Sequence, residues 1–375
     1  MRFIHTSDWH LGRTLYNRPL LEDQRDALDE LVNVAWTKKV DAMVIAGDIF
    51  DRSNPPGEAI ELFDSVLTRL KRMGIKVLFI AGNHDGAQRI DYGRQLMEES
   101  GIYTRGIVTQ GMEPVVLEDS FGPVYFSLIP YVSPEIVRAA FPDEERLDFN
   151  AANKVMVDDA RKLIPDGARS VAVAHAFITG GQTSDSEREL SVGGAANVDY
   201  HIYDGYNYVA LGHLHGPQSV KNKPQIRYSG SLLKYSIDEQ HQKKGVLLVD
   251  MDAKGDFSIE EIKLPVTHDV RVVEGLIEDL EKLDVSEDYV EVRLKNDHSV
   301  MSPADRLRAV FPNLLTVVQN DYAVDVNNEY KVNFRGRTHG DLFQEFYKNV
   351  TGRDMNEAEL NLLDRVINRV EGADE

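Results

Sequence analysis

Cysteine is missing from all 375 residues. That absence excludes disulfides, zinc–thiolate clusters and thiol nucleophiles, so any bound metal must be held by imidazole, carboxylate or amide groups. No apolar run approaches the ~18 residues that a membrane span requires, and the early polar residues of Met1-Arg2-Phe3-Ile4-His5 do not fit a secretory signal. The expectation is a cytoplasmic chain with no membrane association. Basic residues are also in short supply. With 42 Lys and Arg against 62 Asp and Glu, the net charge is −20, which argues against coating nucleic acid by charge alone. Divalent cations among the carboxylates would offset part of that charge, so a local nucleic-acid site stays open. No Gly-rich Lys-Ser/Thr phosphate loop occurs, and no ATP site is expected in this chain.

What is present reads as an ordinary globular α/β protein. A hydrophobic content of 42% supports packed cores, and a prior of ~150 residues per domain suggests two or three domains. Short apolar runs predict strands over 2–6, 42–46, 77–81, 171–174 and 208–211. Between the first three, apolar residues recur at helical spacing over 20–36 (Leu21, Leu28, Leu31, Val32, Ala35) and 57–72 (Ile60, Phe63, Val66, Leu67, Leu70). Further strand-like segments in 117–130 and 225–249, without clear helices between, predict a second, more antiparallel sheet. The expected fold is therefore a two-sheet α/β sandwich flanked by helices over residues 1–265. Beyond it, strands over 270–273, 289–294 and 315–318 and helices over 276–283 and 303–311 predict a small α/β cap, 266–335. Two amphipathic segments, with Leu342, Phe343, Phe346, Tyr347 and Val350, then Leu360, Leu363, Val366, Ile367 and Val370, predict a helical tail over 336–375.

Five predicted strands end in metal-binding side chains. They read Ser7-Asp8-Trp9-His10, Gly47-Asp48-Ile49-Phe50-Asp51, Gly82-Asn83-His84-Asp85, His175 and Gly212-His213-Leu214-His215. Ligands gather at the carboxyl ends of strands in α/β sheets, so these ends are expected to converge. One Asp-x-His or Gly-Asp alone is ordinary turn chemistry, and a lone buried histidine is usually structural. Co-occurrence at five strand ends changes the reading to a metal centre. By the same standard His5, His201, His241, His268, His298 and His339 read as structural. Seven side chains, Asp8, His10, Asp48, Asn83, His175, His213 and His215, exceed what one catalytic zinc uses and suit two ions. Such mixed ligation favours manganese, iron or zinc over calcium, and paired ions suit displacement at phosphorus.

In order and spacing these motifs resemble the calcineurin-like metallophosphoesterase superfamily. The wider segments His5-Thr6-Ser7-Asp8-Trp9-His10-Leu11-Gly12, Gly47-Asp48-Ile49-Phe50-Asp51 and Tyr228-Ser229-Gly230-Ser231 resemble its SbcD-type nuclease subunits. The resemblance implies one ion held by Asp8, His10, Asp48 and His215, and a second by Asp48, Asn83, His175 and His213. It implies two divalent ions, manganese first, with magnesium, iron or zinc as alternatives. His84 would contact the scissile phosphate and protonate the leaving oxygen; Asp51 would orient His84 or merely cap its loop. It also implies a homodimer that cleaves DNA, as exonuclease and hairpin endonuclease, in repair, recombination and replication at the nucleoid. The partner implied is an SbcC-type coiled-coil ATPase that binds the tail helices. Arg13, Asn17 and Arg18 are candidates for DNA contact, and 179–197, rich in Gly and Ser, for a mobile loop near the site. The alternatives are a phosphatase or cyclic-nucleotide phosphodiesterase on the same fold, and a non-catalytic scaffold for the coiled-coil partner.

Overall fold

A computed structural model of the chain describes residues 1–144, 147–187, 196–319 and 338–371. In chain order the elements are β1 (Arg2–Thr6), β2 (Thr14–Leu15), β3 (Arg18–Pro19), α1 (Leu21–Thr37), β4 (Ala42–Ile45), α2 (Gly57–Arg72), β5 (Lys76–Ile80), α3 (Ala87–Ile90), α4 (Arg94–Glu99) and β6 (Ile102–Arg105). They continue with β7 (Val115–Asp119), β8 (Gly122–Ile129), α5 (Pro134–Ala140), α6 (Phe149–Arg161), β9 (Arg169–His175), β10 (Tyr208–Gly212), β11 (Gln218–Val220), β12 (Lys223–Tyr228), β13 (Gly245–Met251) and β14 (Phe257–Lys263). Last come β15 (Val270–Gly275), α7 (Ile277–Leu280), β16 (Tyr289–Leu294), α8 (Pro303–Leu307), β17 (Leu314–Gln319), α9 (His339–Thr351) and α10 (Glu357–Glu371). The chain divides into two units, Met1–Val272 with Glu287–Val290, and Val273–Ser286 with Glu291–Glu375.

Two six-stranded sheets make the first unit, in the orders β14–β13–β1–β4–β5–β6 and β11–β12–β10–β9–β8–β7. Strand residues alternate between faces. Phe3, Val44, Leu78 and Ile80 of one sheet therefore meet Val124, Phe126, Val171, Val173, Tyr208 and Ala210 of the other in a single buried cluster. Phe3 sits edge-on to Phe126 and Tyr208, with ring centroids 5.8 and 5.7 Å apart. Truncating a ring this buried, as in Phe126→Ala, costs about 3–5 kcal/mol. His5 spans the same interface, its Nδ1 2.9 Å from the Tyr208 hydroxyl and its Nε2 3.1 Å from the Leu211 carbonyl. Burial pushes its imidazole down to about 3, so it serves as a neutral hydrogen-bonding strut.

The expected antiparallel character of the second sheet is corrected. Its inner strands β8, β9, β10 and β12 run parallel, and only the edges β7 and β11 are antiparallel. Helix α6, which the apolar pattern did not disclose, lies between β8 and β9 in sequence, and a parallel pair needs such a crossover. The strand over 245–251 joins the first sheet instead, antiparallel to β1. On α1 and α2 the predicted stripes are buried except at Leu21, which is half-buried, and Ile60, which is 37% exposed.

A three-stranded sheet of order β15–β16–β17, with α7 and α8 between consecutive strands, belongs largely to the second unit. Helix α9 opens on a reciprocal capping box between Thr338 and Asp341 and ends at Gly352, whose φ is 72°. Tyr347 of α9 donates to Glu359 of α10 at 2.7 Å. Leu363 is buried, whereas Phe346 and Leu362 are more than half exposed. The side chains of Val350 and Val370 lie outside the described residues. Among the described residues no helix is long and apolar enough to cross a membrane.

Candidate metal centre

Parallel pairing of β1, β4 and β5, and of β9 and β10, puts the carboxyl ends of each set on one edge. The two edges meet. The His175 Nδ1 lies 2.9 Å from the Ala46 carbonyl, and the His213 amide donates to Asp8 Oδ1 at 3.0 Å. Space here is tight: a Cβ on Gly82 would stand 2.1 Å from Asp48 Oδ1, and one on Gly212 2.0 Å from the Ala46 carbonyl. The glycine before each of these two motifs is thus a condition of close approach. Asp8, His10, Asp48 and His213 all adopt positive φ, at 52°, 45°, 49° and 110°. Each such residue costs about 1–3 kcal/mol and persists where the surroundings over-determine it, commonly at a functional site.

All seven predicted ligands converge. His10 Nε2 lies 3.1 Å from His215 Nε2, and Asp48 Oδ2 lies 3.6 Å from His10 Nε2 and 3.4 Å from His175 Nε2. Asn83 Oδ1 faces His175 Nε2 at 2.9 Å and His213 Nδ1 at 3.1 Å, while the Asn83 amide nitrogen is buried without a partner. Donor atoms of Asp8, His10 and His215 cluster within 4.8 Å of one another, as do those of Asp8, Asp48 and His175. Ligands ~2.0–2.2 Å from a shared ion are separated from each other by distances of this order. The residues present therefore fit divalent cations. Their electrostatics agree for three of the four histidines; at His175 burial works to lower the imidazole, but the Asp48 carboxylate outweighs it and raises it to about 9. Burial pushes the Asp8 carboxyl up to about 8. Burial also works to raise Asp48, but neighbouring His175, with His10 and His84, outweighs it and holds that carboxyl well below its usual range. Burial pushes His10 well down, His213 to about 3 and His215 to about 4, which leaves neutral imidazoles with lone pairs to offer.

His84 is half-buried beside them, its ring 4.7 Å from that of His10. Its backbone amide donates to Asp48 Oδ1 at 2.9 Å, and its Nδ1 lies 2.8 Å from the Asp51 carbonyl oxygen. A carbonyl only accepts, so Nδ1 carries the proton and Nε2 is turned to the site. Asp51 thus holds His84 through its backbone. Its carboxylate lies 3.5 Å from the Arg13 guanidinium and 3.7 Å from His10 Nδ1. Arg13 also donates to the Ser186 carbonyl at 2.7 Å and stacks over Tyr235. Asn17 is exposed at the tip of the β2–β3 hairpin, and Arg18 is half-buried on β3.

Several supporting residues carried no sequence signal of their own. Asp85, inside a quoted motif but without an assigned role, accepts from the amides of Gly82, Ile49 and Phe50 at 2.9–3.1 Å and so ties two ligand loops together. Gln24, on α1, donates to the Trp9 and His10 carbonyls at 3.0 and 2.8 Å and fixes the first motif. Of the loop over 179–197, residues 188–195 lie outside the described residues. The described part is fastened rather than free: Glu187 accepts from the His215 amide at 2.6 Å. Glu239 and Lys244 complete the surroundings of His215.

The calcineurin-like phosphoesterase family model matches residues 1–217, and a model described as a type 5 capsule protein repressor C-terminal domain matches 266–351. The SbcD subunit of the nuclease SbcCD from Staphylococcus epidermidis is 31% identical over 365 residues, covering 96% of each chain. Its counterpart in Staphylococcus saprophyticus is 31% identical over 374 residues, covering 98% of each. Among solved structures, TT1561 of Thermus thermophilus aligns with a TM-score of 0.39 at 12% identity, over 69% of this chain and 98% of its own. A dimetal phosphatase of Danio rerio aligns at 0.38 and 12%, over 70% and 98%. End-to-end likeness to the two staphylococcal proteins, on a fold whose strand ends carry the metal-binding motifs, means that the chain belongs to the SbcD family of calcineurin-like phosphoesterases.

Proposed function

We propose that this chain is the nuclease subunit of an SbcCD-type complex and hydrolyses phosphodiester bonds of DNA with two divalent ions, manganese foremost. The observation that carries the reading is Asp48 Oδ2, between His10 Nε2 at 3.6 Å and His175 Nε2 at 3.4 Å. One ion would be held by Asp8, His10, Asp48 and His215 and the other by Asp48, Asn83, His175 and His213, with Asp48 common to both sets. When bound, paired ions lower the pKa of a water and neutralise charge developing on the phosphate. The protein's own part is positioning. Asp85 and Gln24 hold the ligand loops, and His84, anchored through Nδ1–H, acts as the imidazolium, giving its Nε2 proton to the leaving oxygen and keeping the one on Nδ1. Arg13, Asn17 and Arg18 contact DNA phosphates, Asn17 being the exposed one of the three at the tip of the β2–β3 hairpin. Residues 266–335 act as a DNA-binding cap. The exposed apolar residues of α9 and α10 receive the coiled-coil ATPase, in the helix-in-groove mode. Homodimerisation uses the exposed apolar residues Ile60 of α2, Tyr92 of the α3–α4 turn and Leu96 of α4. Its place of action is the cytoplasm, at the nucleoid.

The test is cleavage of end-labelled linear and hairpin DNA, with and without Mn²⁺ and with and without the ATPase partner. Mn²⁺-dependent cleavage of DNA without turnover of p-nitrophenyl phosphate is the expected result. Turnover of the monoester with intact DNA would return the chain to the phosphatases.

A further inference from the structure

His215 is the one proposed ligand whose far ring nitrogen meets a buried ion pair. Glu239 and Lys244 are fully or almost fully buried, at 0% and 3% side-chain exposure, with Lys244 Nζ 2.6 Å from Glu239 Oε2. Ser186 donates its hydroxyl proton to Glu239 Oε1, and its oxygen lies 2.5 Å from His215 Nδ1. Glu239 Oε1 itself is 3.3 Å from the same Nδ1. The direction of these bonds follows from counting protons. A carboxylate accepts only, and Ser186 has spent its single proton on it, so the Ser186 oxygen must accept from His215. The proton therefore sits on Nδ1, which leaves the Nε2 lone pair facing His10 and the metal centre. Tyr235 adds its backbone N–H to the same carboxylate at 3.1 Å, while Ser236, whose hydroxyl oxygen lies 3.1 Å from Oε1, gives its single proton to Asp238.

Resting on the reading of His215 as a metal ligand, we propose that Glu239 is a positioning residue that fixes the tautomer and orientation of His215, with Ser186 as the link and Lys244 as the counter-charge. A buried ion pair adds little net stability by itself, because desolvation offsets the attraction. Its value here lies in what it does to the ring. Carboxylate–histidine–metal arrangements of this kind typically change metal affinity by ~10–100-fold when the outer carboxylate is lost. Lys244 also donates to the His215 carbonyl at 2.8 Å and to Ser231 at 2.9 Å, so the pair grips the backbone of the ligand as well as its ring.

Two variants test this. Glu239→Gln offers a side chain that can donate as well as accept, so Nδ1 no longer has to carry the proton. Glu239→Gln with Lys244→Met removes both charges and avoids a lone buried ammonium. On metal-free, ¹⁵N-histidine-labelled protein, long-range ¹H–¹⁵N correlations read the His215 tautomer, and calorimetry then reads Mn²⁺ affinity. Wild type should show Nδ1–H alone; both variants should show mixed tautomers and Mn²⁺ binding weaker by ~10–100-fold, with the fold retained by circular dichroism. A merely structural Glu239 would lower the melting temperature and move neither readout. Folded variants that keep the Nδ1–H form and wild-type Mn²⁺ affinity would overturn the proposal. Wild-type protein with Nδ1–H on His215 that takes up no Mn²⁺ would support the tautomer assignment and sink the metal reading alone.

Discussion

His84→Gln separates proton transfer from metal binding. In the wild type the ring is held at Nδ1 by the Asp51 carbonyl, 2.8 Å away, so only Nε2 can meet substrate. The contact between this residue and the ligand Asp48 runs through the backbone amide, at 2.9 Å, and glutamine retains that amide. Metal content and DNA affinity should therefore stay near wild type. A positioned general acid contributes ~10²–10⁴-fold. That range corresponds to about 3–5 kcal/mol of transition-state stabilisation, and single-turnover cleavage should slow accordingly. The rival reading has a structural basis, since donor atoms of His10, Asp48 and His84 also lie within 4.8 Å of one another. Metal stoichiometry, DNA binding and single-turnover cleavage on one preparation decide between them. A variant that loses a metal in proportion to its activity makes His84 a ligand, and one that cleaves at the wild-type rate removes it from the mechanism.

Truncation after Arg337 should leave a folded, metal-binding protein that no longer co-purifies with the ATPase, because all proposed ligands precede residue 216; recovery of the partner at wild-type yield would contradict this. Gly82→Ala should depress metal binding and cleavage together, since the added methyl falls 2.1 Å from Asp48 Oδ1; calorimetry of the purified variant reads the effect, and wild-type Mn²⁺ affinity would refute it. Asp119 and Arg169 form a two-bond pair at 2.7 and 2.9 Å, and the guanidinium holds the Asp119 carboxyl well below the usual carboxylate range. A lowered carboxyl pKa stabilises the fold above its unfolded value of about 4, and that contribution fades as pH falls below it. Asp119→Asn should cost about 3 kcal/mol at pH 7, the low end for removing one partner of a buried pair, and progressively less in acid; urea melts at pH 7 and pH 3 check the sign.

The strand ends were legible because each motif is local: a short apolar run and then one or two metal-binding side chains, with a glycine between them at Gly47, Gly82 and Gly212. Their convergence was legible from the rule that sites form beyond the carboxyl ends of parallel strands. Helix α6 was not. Its buried residues, Ala152, Asn153, Met156, Val157 and Ala160, are small or polar at several positions and give a weak apolar stripe. Without that crossover, the segments over 117–130 and 225–249 read as parts of a more antiparallel sheet. The supports of the site were invisible for a different reason. Gln24, Glu239 and Lys244 are polar residues in polar surroundings of the sequence, and each becomes meaningful only through a partner far along the chain; Glu239 lies 24 positions from His215. Asp85 adjoined a recognised motif, yet its role rests on amides of Ile49 and Phe50, which no residue pattern reveals. Arg13 followed the first motif and read as a phosphate contact; its bonds to Asp51 and to the Ser186 carbonyl were not visible in the sequence.

The central claim is that one carboxylate, Asp48, serves two ions that together hydrolyse DNA. Calorimetric Mn²⁺ titration with elemental analysis of wild type and Asp48→Ala, followed by DNA cleavage on the same samples, tests it most directly. Wild type should bind two ions per chain and cleave; the variant should lose occupancy at both sites and all cleavage. Two fully occupied sites in Asp48→Ala would contradict the account.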